Sequence, residues 1–154
     1  MILKEPVLSI KNLRTYFHTP DGVAKAVDNV SYHVYPGETL GVVGESGCGK
    51  SVSALSILRL IPIPPGEIVS GEIWFEGQNL LGLPMNRMRN IRGNRISMIF
   101  QEPMTSLNPV FTIGYQLSKV FKLHQNISSK EAQNRSLDIL EACEIPSPER
   151  VLNA

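Results

Sequence analysis

Cysteine is scarce. Cys48 and Cys143 are the only two in the chain, too few for a disulfide framework or a thiolate metal cluster, which suits a reducing compartment. An excess of charge of either sign is also lacking. Fifteen basic residues against 14 acidic ones leave a net charge of +1, so nothing in the total asks for nucleic acid or an anionic membrane as partner. No apolar run reaches the length of a membrane span, and the longest candidates are broken by Pro62, Pro64 and Pro65. The opening Met1-Ile2-Leu3-Lys4-Glu5-Pro6 lacks the charged-then-apolar layout of a secretion signal. His18, His33 and His124 are scattered, as solvated or core histidines are. These absences leave a soluble cytosolic chain. Its 154 residues, 42% hydrophobic and 19% charged, suffice for one domain with a real core and exclude wholesale disorder.

What is present centres on Gly44-Glu45-Ser46-Gly47-Cys48-Gly49-Lys50-Ser51, a G-x-x-x-x-G-K-S octet. The apolar run Leu40-Gly41-Val42-Val43 precedes it, and a helical run from Val52 to Ile61 follows. Strand, glycine loop, helix is the context in which this octet marks a phosphate site. Gly44, Gly47 and Gly49 permit backbone conformations and approaches that a Cβ would block. Successive N–H groups then face an anion, aided by the positive end of the helix dipole. Lys50 brings a full charge for the β/γ-phosphates, and the Ser51 hydroxyl is placed to hold Mg²⁺. The plain alternative is a glycine-rich turn that merely joins two elements. The octet with both flanks favours a loop that binds a nucleotide phosphate.

Around that loop the pattern predicts an α/β chain. Val7 to Leu13 reads as a strand running on to Tyr16 and Phe17, then a turn at Thr19-Pro20-Asp21-Gly22. Val27 to Tyr35 gives a second strand, and together they form a small antiparallel layer beside the phosphate site. Leu40 to Val43 reads as a parallel strand buried on both faces, followed by a buried helix that must stop near Ile61, before Pro62. Gly71 to Glu76 is a further strand. Leu83 to Ile91 is helical, and its neighbourhood carries Arg87, Arg89, Arg92 and Arg95. These arginines either meet phosphate or a partner, or form a solvated face opposite Met85, Met88 and Ile91. Arg95 to Phe100 is a second candidate buried strand, with Gln101 at its end, where ligands gather in open α/β sheets. The loop Glu102-Pro103-Met104-Thr105-Ser106-Leu107-Asn108-Pro109 follows. Ile113, Leu117, Val120 and Phe121 mark one face of a helix. Ser128-x-x-Glu131 is a capping box for another, with Ala132, Ile139, Leu140 and Cys143 on its buried side. Pro146 and Pro148 end that helix, and Glu149 to Ala154 trail off without a final element.

Several of these stretches resemble one family. Val43 to Ser51 is similar to the Walker A segment of ABC-transporter ATPase subunits, and Ile99-Phe100-Gln101-Glu102-Pro103, with Gln101 51 residues beyond Lys50, resembles their Q-loop. Ser106-Leu107-Asn108-Pro109, Val23 to Asp28, Gly71-Glu72-Ile73 and Pro148-Glu149-Arg150-Val151 resemble the di/oligopeptide and nickel importer branch. The likeness covers nearly the whole chain. It implies a partial P-loop NTPase core with an N-terminal antiparallel β layer and part of the helical subdomain. The divisions fall at about 1–39 for the β layer, 40–101 for the core to the Q-loop, and 102–154 for the start of the helical part. It implies ATP held by the backbone of Gly44, Glu45, Ser46, Gly47, Cys48 and Gly49, with Lys50 on the phosphates. Ser51 and Gln101 would meet Mg²⁺, and Gln101 would couple the site to the membrane subunit. Phe17, or less favourably Tyr16, would stack on adenine through its ring face. Phe17 as strand core and Gln101 as a surface amide are the corresponding plain readings. The resemblance further implies transmembrane permease subunits and a second ATPase subunit as partners, no nucleic acid, and a place on the inner face of the cell membrane.

The chain departs from the family in what is absent after Gln101. There is no Leu-Ser-Gly-Gly-Gln signature, no apolar strand ending in Asp then Glu, and no switch histidine, since His124 lies too early. No carboxylate is placed to orient water for attack on a γ-phosphate, so this chain alone is expected to be inactive in hydrolysis. It reads as the N-terminal part of such a domain, able to accept a neighbour's signature but not to give one. The strand that would pair beside Leu40–Val43 is missing, which leaves backbone groups and apolar surface open and predicts poor stability in isolation. The resulting function is the ATP-binding, energy-coupling subunit of a peptide or nickel importer, in fragment form. The alternative is a catalytically inert nucleotide-binding or partner-docking module. A P-loop kinase would want a late arginine-rich lid, and a DNA-repair relative a long coiled-coil insertion after Gln101. Neither is present.

Overall fold

The computed structural model describes residues 5–102 and 106–154, in two compact units that divide between Arg92 and Gly93. Met1 to Lys4 and the loop residues Pro103, Met104 and Thr105 lie outside the described residues.

The first unit is built on an antiparallel sheet. β1 (Leu8–Thr19) and β2 (Gly22–Val34) form a hairpin in which Thr19 pairs with Gly22 across Pro20-Asp21. Gly22 takes a φ of +132° there, and the Thr19 hydroxyl donates to its carbonyl at 2.8 Å. β3 (Gly66–Phe75) pairs with the other edge of β1, and the two-residue β4 (Gln78–Asn79) completes the order β2-β1-β3-β4. Ile10, Leu13, Ile73, Leu80 and Met88 are fully buried, each contributing about 1.5–3 kcal/mol through removal from water. Leu80 opens a 3₁₀ turn (Leu80–Gly82) ahead of α2 (Met85–Ile91), which supplies Met88.

Between β2 and β3 lies α1 (Lys50–Ile57), which differs from expectation in two ways. Its fully turned-in residues are Ser53 and Ser56 rather than its aliphatic ones. The Thr15 and Ser56 hydroxyls lie 2.9 Å apart in the buried core, Ser56 also donates to Val52 O at 2.7 Å, and Tyr32 Oη lies 3.1 Å from Ser53 Oγ. Matched hydroxyls let this face bury without orphaned polar groups. The helix also ends at Ile57, well before Pro62. Arg59 adopts a left-handed φ of +51° and closes a Schellman motif: its N–H reaches Ser56 O at 3.0 Å, and the Leu60 N–H reaches Leu55 O at 2.9 Å.

Leu40–Val43 is not a strand. It runs without ladder partners, and Val43 is 95% exposed. The expected strand at 95–100 is likewise absent, with Ile99 93% exposed. Parallel strands are stable only between neighbours that cover both faces. Among the described residues neither segment joins a sheet, and only Ile96 in the second makes an isolated bridge.

The second unit is helical. α3 (Ile113–Gln125) starts at Thr112, whose hydroxyl accepts from Tyr115 N at 3.2 Å, and stops at Asn126 with φ +51°. α4 (Ser129–Ala142) starts at Ser128, whose Oγ accepts from Glu131 N at 3.2 Å. The Glu131 carboxylate turns instead to Arg135, one helical turn on, at 2.9 Å. The buried stripe of α4 is Ala132, Ser136 and Leu140, spaced one turn apart; Ile139 and Cys143, expected inside, are exposed. The closing residues do form an element, contrary to the sequence reading. α5 (Pro148–Leu152) begins with Pro148 at its first turn and buries Leu152. A Cβ on Gly114 would lie 2.8 Å from Leu152 O, so the glycine in α3 admits α5, and Ile113 N donates to Ala154 O at 3.1 Å.

Candidate functional site

The octet 44–51 stands at the N-terminus of α1 as the motif requires. Gly47 and Gly49 have φ of +83° and +92°, values that L side chains rarely adopt. Gly49 is constrained twice, because a Cβ there would overlap the carbonyl oxygen of Ala26 on β2. A Cβ on Gly44 would meet Cys48 Sγ at 2.6 Å. The loop is therefore closed tightly on itself and seated on β2. Lys50 Nζ lies within this closure and donates to Gly44 O and Glu45 O, both at 2.7 Å, and to Cys48 Sγ at 3.4 Å. Ser51, in the first turn of α1, is exposed.

The other candidates are placed less centrally. Phe17 is half-buried on β1 opposite Gly66, whose Cβ would lie 3.1 Å from the Phe17 ring, so this aromatic leans on the glycine of β3. Tyr16, on the next register position, donates from Oη to Asp28 at 2.8 Å, with Lys25 Nζ 5.6 Å from its ring centre. Arg14 Nε also donates to Asp28, at 3.1 Å. The Tyr16 hydrogen bond, aided by Arg14 and Lys25, holds the Asp28 carboxyl below the usual aspartate range; the same bond pushes the Tyr16 phenol up. Gln101 belongs to the second unit and is exposed in irregular chain rather than at a strand end.

The arginines near α2 show what the sequence pattern missed. Arg92 donates to Leu58 O and Arg59 O, both at 2.8 Å, and Arg59 donates to Leu83 O at 2.6 Å. These side chains cap the C-terminal end of α1 and tie it to the turn before α2. Arg92 is thus neither a phosphate contact nor part of a solvated face. A carbonyl-capping role depends on a helix end 33 residues away in sequence, which no local pattern announces. Among the described residues no cluster of histidine, cysteine and carboxylates suits a metal ion. The Ser51 hydroxyl and the Gln101 amide are hard oxygen donors of the kind that fit Mg²⁺ together with phosphate oxygens.

Comparison with known proteins adds the wider context. The family model described as ABC transporter matches residues 27–153. The oligopeptide transport ATP-binding protein OppD of Bacillus subtilis is 46% identical over 153 residues, 99% of this chain and 43% of that protein. The peptidoglycan transport ATP-binding protein YejF of Agrobacterium fabrum is 48% identical over 150 residues, 97% of this chain and 28% of that protein. This chain thus spans less than half the length of these relatives. Among solved structures, the dimeric ABC transporter cassette MJ0796 superposes with a TM-score of 0.78 at 24% identity, covering 95% of this chain and 60% of that one, which bears on the fold alone.

Proposed function

The chain belongs to the ABC transporter family, and from that premise we propose that it is an ATP-binding, energy-coupling component of an importer for peptides. The observation that carries this reading is the closed loop at the start of α1, with Lys50 Nζ held on Gly44 O and Glu45 O. The relatives named for oligopeptide and peptidoglycan transport support the solute class.

In this reading the N–H groups of Gly44 to Ser51 surround the phosphates of ATP. Lys50 leaves its two carbonyl acceptors for the β/γ-oxygens, and Ser51 Oγ with Gln101 holds Mg²⁺. Bound Mg²⁺ neutralises charge on those oxygens. Phe17 offers a ring to the adenine. Membrane subunits are engaged through the Q-loop and helical unit, and a second ATPase subunit faces the loop, placing the protein on the inner face of the membrane. No helix among the described residues is long and apolar enough to cross a membrane.

The test is equilibrium titration with a fluorescent ATP analogue and Mg²⁺. Lys50→Ala is expected to weaken binding by about 1.5–3 kcal/mol, the usual loss for a charged hydrogen bond. Equal affinity in the variant would remove the phosphate-cradle argument. Phosphate release above background, abolished by Lys50→Ala, would distinguish a hydrolysing chain from an inert nucleotide-binding module.

A further inference from the structure

The first unit holds a cavity of about 280 Å³ beside the end of α1, just below the usual range for drug-sized ligands, so its occupant must be small. Ile61, Ile63, Ile68, Leu81 and Met85 give it an aliphatic wall, and Arg59 and Glu67 are its two charged lining residues. Ile61 is buried, while Ile63 and Met85 stand 72% and 43% exposed. The apolar lining thus runs from a covered floor to an open rim.

The wall is fixed by backbone bonds. Gly66 N donates to Pro62 O and His18 N to Pro65 O, both at 2.9 Å, which ties segment 61–66 to the sheet. A Cβ on Gly66 would overlap the Ile61 side chain, so this glycine lets Ile61 lie against β3.

The charges are held as well, and held apart. Arg59 Nη1 donates to Leu83 O at 2.6 Å and reaches Leu80 O at 3.4 Å; Nε and Nη2 take no part in those bonds. Glu67 Oε2 lies 2.9 Å from His18 Nε2. Among the described residues Arg59 and Glu67 form no ion pair with each other, and Arg59 has no carboxylate partner. Its charged company is cationic. Arg92 donates to Arg59 O at 2.8 Å, and burial together with the Arg59 and Arg89 charges holds Arg92 below the usual arginine range. One side of the cavity therefore carries surplus positive charge that an anion would relieve.

We propose that this cavity binds a small aliphatic zwitterion, an α-amino acid or a dipeptide. Its carboxylate meets the Nε–Nη2 edge of Arg59, its ammonium meets Glu67, and its aliphatic side chain lies against the three isoleucines. The two separated charges select this class. A purely apolar occupant would leave both without a partner, and a simple anion would face Glu67 as a like charge. The cavity lies beyond the C-terminal end of α1, whereas the glycine loop precedes that helix, so occupancy here does not depend on the nucleotide reading.

The experiment is an NMR titration of the full chain with leucine and with leucyl-leucine, following the methyl groups of Ile61, Ile63 and Ile68. Saturable shifts at all three are expected, and the tighter ligand identifies the source. 4-Methylpentanoate, which lacks the ammonium, is expected to bind about two- to fivefold more weakly, as loss of an exposed charge contact allows. Glu67→Gln is expected to weaken the zwitterion by the same factor while 4-methylpentanoate binds no more weakly than before. Arg59→Gly suits the left-handed backbone and removes the guanidinium; about a tenfold loss of zwitterion affinity is expected. Absence of shifts with both ligands would overturn the site. Equal affinity for the zwitterion and 4-methylpentanoate would overturn the ligand class. Wild-type affinity in both variants would overturn the two contacts, and should Arg59→Gly unfold, Glu67→Gln decides alone.

Discussion

Asp28 shows how far one carboxylate can organise a surface. It accepts from both Tyr16 and Arg14, and its ionised form is the one those donors favour. Because its folded-state pKa is depressed, chiefly by Tyr16, its stabilising contribution is present above the ordinary value of 3.8 and lost as pH falls through the folded value. Urea unfolding of wild type and Asp28→Asn is therefore expected to differ at pH 7 and converge in strong acid; a gap that persists or widens there would contradict the assignment. At this scale the sequence marked the tight glycine loop ahead of α1, because its glycines and lysine stand within eight consecutive residues. The roles of Asp28 and Arg92 escaped notice because their partners stand far off in sequence or are backbone carbonyls, and a carbonyl leaves no trace in residue type.

The end of α1 is the element whose boundary was least legible. Proline at 62 set a limit for the helix, yet the Schellman closure at Arg59 came first. A left-handed arginine carries a strain that glycine would not, and the guanidinium contacts of Arg59 and Arg92 offset it. Arg92→Ala removes two charged hydrogen bonds to the helix end and is expected to lower stability by about 1.5–3 kcal/mol. Thermal unfolding reads this directly, and a change under half a kilocalorie would mean that water replaces the arginine without loss. Strands β1 and β2 were legible in pairing sense because alternation and turn residues fix them locally, whereas for β3 the sequence showed only the part from Gly71 and not its partner. α5 was missed because its packing against Gly114 of α3, rather than its own five residues, gives it a buried face.

For the molecule as a whole, the expectation of an α/β chain with an antiparallel layer, a phosphate loop and a helical part agrees with the fold. The two parallel strands do not form among the described residues. Their apolar composition was read rightly and their burial wrongly, since burial belongs to neighbours that no single segment can specify. Val42 and Val43 are left 54% and 95% exposed, so the chain is expected to bind an environment-sensitive apolar dye and to aggregate on concentration. Val42→Ser with Val43→Ser should reduce both, and light scattering unchanged by that pair would place the sticky surface elsewhere. Lys50 gives the same molecule a different property, one of timing. Its ammonium has two acceptors within the loop itself, so in the proposed reading a nucleotide would compete with those carbonyl oxygens for it. On its departure the same oxygens would take the ammonium back, so the loop would return to one set shape.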